Sequence, residues 1–119
     1  MKIAKKDDTR GAIALAAGNL ALSEEGRSGL AAAGACVALV EALKVAEQDG
    51  TKGSIANAMG NLASSEEGRA GLAAAGACAA LEAAQRMSVG RNRNITDALE
   101  SLQPHLHPNK RIKLSHGAP

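Results

Sequence analysis

Residues 19–36 read NLALSEEGRSGLAAAGAC, and residues 61–78 read NLASSEEGRAGLAAAGAC. The blocks differ only at Leu22/Ser64 and Ser28/Ala70, and they are offset by 42 residues. A chain that repeats itself at this period sets one supersecondary unit after another, and each unit buries its apolar face against the next. Propeller blades have a similar period, but they need β-branched and aromatic strands. The blocks here are rich in Ala and Leu, and the chain has no Phe, Tyr or Trp. The repeat is therefore helical, and the fold class expected is all-α, an α-solenoid with units of about 42 residues.

Spacing inside each unit agrees. In residues 9–22, Ile13, Ala16, Ala17 and Leu20 fall on one helical face, and in residues 52–63 Ile55, Ala58, Met59 and Leu62 do the same. Both segments end just before Ser-Glu-Glu-Gly. Ser64 with Glu67 fits a capping box; Ser23 has Gly26 at the third position and can cap only one way. Glu24, Glu25, Glu66 and Glu67 suit the positive end of the helix that follows. Gly34 and Gly76 should end that short helix. A further helix is expected over 35–47 and again over 77–87, giving three helices per unit: short, medium and long. A decayed third copy is visible at a shift of 40, where Ile55, Ala58, Met59 and Leu62 map onto Ile95, Ala98, Leu99 and Leu102. It predicts a last long helix over 94–102, stopped by Pro104 and Pro108. The organisation expected is a lead at 1–8, a repeat domain at 9–103 and a basic, disordered tail at 104–119.

Composition narrows the chemistry. A chain of 119 residues makes one small domain. Without aromatics its core must come from Ala, Leu, Ile, Val and Met, which bury little area each at about 25 cal/mol per Å². The usual hot-spot anchors, Trp and Tyr, are missing, as are stacking platforms for single-stranded nucleic acid. Residues 1–85 hold 8 Lys/Arg against 10 Asp/Glu, and residues 86–119 hold 6 against 2. The net charge of +2 thus sits in the C-terminal segment and argues against a nucleic-acid-binding domain. No run of 18 apolar residues exists and residues 1–10 lack the apolar stretch of a signal peptide, so no membrane contact and an intracellular setting, cytoplasmic or nuclear, are expected.

The motifs GNLA at Gly18 and again at Gly60, with AGAC-x-ALVEAL from Ala33 and its echo from Ala75, resemble the armadillo repeat family over roughly residues 9–102. The resemblance implies a right-handed superhelix whose third helices line a concave groove that binds extended peptides. It also implies an Asn on each third helix that clamps the peptide backbone. Asn19 and Asn61 match that position, and Ser101 stands there in the third unit. Family members that bind nuclear-import signals carry a Trp one turn earlier; here those positions are Leu15, Asn57 and Asp97, so no shelf for Lys stems is implied. An Asn side chain offers a donor and an acceptor and can pair with one peptide unit. Stacked helices lie about 8–10 Å apart and an extended chain advances about 3.3 Å per residue, so one Asn would meet about every third residue. Alternatively, Asn19 and Asn61 bond only to neighbouring helix ends.

Other candidates carry less. Cys36 and Cys78 stand one unit apart, too far for a disulfide, and read as small apolar residues. Lys110, Arg111 and Lys113, flanked by Pro108, resemble a nuclear localisation signal that an import receptor would recognise; an ordinary solvated tail is the plain alternative. His105, His107 and His116 lack a carboxylate or thiolate partner, so no metal or other cofactor is expected. No nucleophile, phosphate-binding or acid-pair motif is present, so the chain is not expected to be an enzyme. The reading that leads is a module holding an extended protein segment on Asn19, Asn61, Asn57, Leu15 and Ser101. Self-stacking through apolar ends, as a homo-oligomer or as part of a longer array, is the second, and contact of the basic tail with nucleic acid the third.

Overall fold

The computed structural model describes the backbone of residues 2–88 and 92–106, and the side chains of 6–88 and 92–102. All regular structure among the described residues is helical: α1 Lys2–Leu20, α2 Glu24–Ala32, α3 Ala35–Val45, α4 Asp49–Leu62, α5 Glu66–Ala74, α6 Ala77–Met87 and α7 Arg93–Leu106. The pairs α2/α5 and α3/α6 have equal lengths of 9 and 11 residues, and α4 and α7 have 14 each. The short, medium and long helices expected of each unit are therefore present. The helix α4 lies between α1 and α7, and these three form one layer; α2, α3, α5 and α6 pack against it.

The repeated block builds the corner from a long helix into the next short one. Ser23 and Ser65 are the N-caps of α2 and α5, accepting from the N–H of Gly26 and of Gly68 at 3.0 Å. Each glycine sits under the carbonyl that ends the preceding long helix: a Cβ on Gly26 would lie 1.7 Å from Leu20 O, and one on Gly68 1.9 Å from Leu62 O. The arginine that follows reaches back to the same helix end, Arg27 to Ala21 O at 3.0 Å and Arg69 to Ala63 O at 2.8 Å. A cation there also suits the negative end of the long helix. Gly34 and Gly76 take φ 84°, a left-handed turn open to glycine, and end the short helices as expected. The capping box expected at Ser64 and Glu67 does not form. Ser65 takes the cap, because the glycine that tolerates the close carbonyl must fall three residues after it.

Three further expectations shift. The first helix opens at Lys2 rather than at residue 9, and the stretch 1–8 supplies a structural residue. Asp7 is fully buried, and its carboxylate accepts from the N–H of Glu47 at 3.0 Å and of Gln48 at 2.9 Å, tying down the turn into α4. At the other end α7 continues through Pro104 to Leu106. Third, the face of α1 expected to be core is only half used. Ile55, Ala58, Met59 and Leu62 are fully buried in α4, but their counterparts Ile13 and Leu20 are 63 % and 58 % exposed. What α1 buries instead is the small-residue edge Ala14, Gly18 and Ala21 against α4.

The core runs through the stack without an aromatic ring. Val40, Ile55, Met59, Leu62, Leu72, Leu81, Ile95 and Leu102 are its fully buried large side chains. Glycine and alanine at the helix contacts let the backbones approach closely: a Cβ on Gly18 would lie 3.5 Å from Ala58 Cα, and one on Gly60 3.8 Å from Ala98 Cα. The decayed third copy is packed as its sequence predicts, with Ile95, Ala98 and Leu102 buried and Leu99 partly so. Asn92 stands just before α7, and its Oδ1 accepts from Asn94 N at 3.1 Å and Ile95 N at 3.4 Å. Gln85 holds it there by accepting from Asn92 N at 2.8 Å.

Candidate functional site

The layer of α1, α4 and α7 carries the residues singled out from sequence. Leu15 and Asn19 of α1 and Asn57 of α4 are exposed. Asn57 stands one turn before Asn61, as Leu15 does before Asn19, so the four form two rows related by the repeat. On α7 the rows continue into Asp97 and Ser101.

The members of these rows are not equivalent. Asn61 is half-buried and its Nδ2 donates to Gly18 O of α1 at 2.9 Å. One of its two N–H groups therefore locks α4 to α1, which leaves the other N–H and Oδ1 to serve a ligand. Asn19, its counterpart on α1, is exposed. Ser101 Oγ donates back to Asp97 O at 3.0 Å within its own helix, a bond that turns the hydroxyl away from outside partners. Asp97 is exposed and forms a loose surface pair with Arg93 at 3.7 Å. Along the upper row the chemistry thus changes from apolar at Leu15, through amide at Asn57, to acidic at Asp97.

Among the described residues, Asp7 and the two cysteines have perturbed titration. Burial opposes the charge on Asp7, but the N–H groups of Gln48 and Glu47, with Thr51 and Arg10, outweigh it and hold the carboxyl below its ordinary value. Burial pushes the thiols of Cys36 and Cys78 up, helped at Cys36 by Glu67 and at Cys78 by Glu82. Both thiols are free, and neither is activated as a nucleophile. Among the described residues no group of His, Cys, Asp and Glu could hold a metal ion. No single helix among them is long and apolar enough to cross a membrane. The side chains of His105, His107 and His116, and the basic cluster Lys110, Arg111 and Lys113, lie outside the described residues.

Sequence reasoning passed over Gly26, Gly68, Arg27, Arg69 and Asp7. The signal was present for each. The first four are identical residues 42 apart inside the repeated block, and Asp7 has Asp49 one unit on. Much of the block's identity thus reflects the needs of a helix corner. Comparison of the chain with protein-family models, with curated proteins and with solved structures finds no match in any of the three.

Proposed function

We propose that this chain is a binding module of the armadillo-like type, a right-handed α-solenoid that holds an extended segment of another protein across the open side of α1, α4 and α7. The observation that carries the reading is the pair of amides in repeat register, exposed Asn19 and half-buried Asn61, with the exposed amide of Asn57 one turn before Asn61. An amide can satisfy both the N–H and the C=O of one peptide unit, and it selects against no side chain. Leu15 at one end of the upper row and Asp97 at the other give the ligand a direction. An apolar residue falls at the α1 end and a basic residue at the α7 end.

The test is selection of unstructured 12-residue peptides from a displayed library against the intact chain. Enriched peptides should share an apolar residue and a basic residue several positions apart. Their affinity should fall at least tenfold with Asn19→Ala/Asn57→Ala and with Asp97→Lys. Enriched peptides that bind both variants as well as the parent would refute the assignment of the face, and a library without enrichment would refute the function.

A further inference from the structure

The N-terminal end of the stack differs from every internal step in one way: the interface is made on one side only. In α4 the residues Thr51, Ile55, Ala58 and Leu62 form a row of knobs, all buried. They are seated on α1, which offers the small residues Gly11, Ala14 and Gly18. One unit back the same knobs are Thr9, Ile13, Ala16 and Leu20 of α1, and all four are exposed. Knobs and small residues lie on roughly opposite sides of α1, as expected for positions 9, 13, 16, 20 and 11, 14, 18 at 3.6 residues per turn. The same contrast holds in the second layer. A Cβ on Gly71 would meet Cys36 Sγ at 2.8 Å, whereas one on Gly29 meets nothing within 4 Å. Leu72 is fully buried and Leu30 only partly. Between α1 and α3 runs an apolar groove of about 230 Å³ lined by Ile13, Ala17, Leu30, Ala38 and Ala42. One unit on, the corresponding place is filled by α3 itself, through Cys36, Val40 and Leu43.

The opposite end is closed to such stacking. Where α4 presents Gly53, Ala56 and Gly60 toward α7, the corresponding positions of α7 carry Arg93, Thr96 and Glu100. Where α3 presents Val40 and Leu43, α6 carries Glu82 and Gln85. A second copy stacked head to tail would therefore set Ile13 and Leu20 against the carboxylate of Glu100 and the guanidinium of Arg93. Two copies joined end to end would set knobs on knobs.

We propose that the N-terminal end of the stack docks a helix of another protein that presents Gly or Ala at positions i, i+3 and i+7, continuing by one unit the interface that α1 makes with α4. The chain itself shows the fit, since Gly11, Ala14 and Gly18 already receive this row of knobs once. The site is separate from the amide rows, and it stands or falls without them.

The probe is a synthetic peptide of residues 2–22, held helical by a staple between positions 12 and 16, away from its small-residue edge. It is titrated into the full-length chain labelled with 15N. The expected result is saturable shifts at Thr9, Ile13, Ala16, Leu20 and Leu30, with at least tenfold weaker binding to Ile13→Glu/Leu20→Glu. That variant alters exposed side chains only, and circular dichroism checks its helicity. A control peptide with Gly11→Leu and Gly18→Leu should fail to bind. No shifts at millimolar peptide, equal binding of the control peptide, or shifts confined to other faces would overturn the proposal. So would light scattering that finds the chain dimeric and the double variant monomeric, because the occupant would then be a second copy.

Discussion

Gly29 and Gly71 occupy the same place in α2 and in α5, yet alanine should have opposite effects at the two positions. Each glycine lies inside a helix, where alanine is favoured by about 0.5–1 kcal/mol because it loses less backbone freedom on folding. At Gly29 a Cβ meets nothing within 4 Å, so Gly29→Ala should stabilise by about that amount. At Gly71 the Cβ lies 2.8 Å from Cys36 Sγ, nearly 1 Å inside ordinary contact, in a place where α3 is packed on the core. Forcing an extra methyl into a packed interior costs about 1–3 kcal/mol, so Gly71→Ala should destabilise by about 1 kcal/mol net. The clash is with sulfur alone, since Cys36 Cβ stands 3.6 Å away. In a Cys36→Ala background Gly71→Ala should therefore become neutral or stabilising, a coupling of about 1 kcal/mol or more. Urea unfolding followed by far-ultraviolet circular dichroism reads all four proteins, with concentrations set by refractive index because the chain has no Trp or Tyr. Equal effects of alanine at Gly29 and Gly71, or an effect at Gly71 that Cys36→Ala leaves unchanged, would refute the view that Cys36 of α3 packs over Gly71 while the space at Gly29 stays open.

The other predictions follow from the same geometry. Gly68→Ala should cost about 3 kcal/mol, since relieving a 1.9 Å approach to Leu62 O must disturb both the Ser65 cap and the Arg69 bond to Ala63 O; the midpoint of urea unfolding checks it. Asp7→Asn should lower stability by about 1.5 kcal/mol at neutral pH. Because the folded carboxyl titrates below its ordinary value, its contribution is present above that value and disappears as pH falls through the folded one. Parent and variant should therefore converge in acid-titrated unfolding curves. Ile55→Ala should cost about 3 kcal/mol and Ile13→Ala under about 0.5, although the residues are 42 positions apart in a repeat, and thermal unfolding separates them. Asn61→Ala should cost about 1 kcal/mol through the lost bond to Gly18 O, and Asn19→Ala almost nothing, by the same assay.

The helical architecture was legible because periodicity and repetition agree at every level. The knobs Ile55, Ala58, Met59 and Leu62, the turn glycines Gly34 and Gly76, and the shifted copy Ile95, Ala98 and Leu102 all stand as the pattern reads. Burial at the end of the stack was not legible. A repeat tells which face of α1 is apolar, but only its neighbours decide whether Ile13 and Leu20 are covered. Nor did spacing reveal which serine caps α5. Ser64-x-x-Glu67 is the better capping box by residue type, yet the close carbonyl of Leu62 requires glycine, and Gly68 selects Ser65. Among the candidate site residues, spacing put Asn19, Asn57 and Asn61 in rows on one layer. It could not tell that Asn61 spends one N–H on Gly18 O while Asn19 is exposed.

The measurement closest to the central claim is a titration of the labelled chain with a peptide enriched by the library selection, read at the side-chain amides. Asn19 and Asn57 Nδ2 resonances should shift together and saturate at one affinity, while Asn61 Nδ2, held on Gly18 O, should move little. Shifts that leave Asn19 and Asn57 unmoved and gather on α2 and α5 would contradict the account.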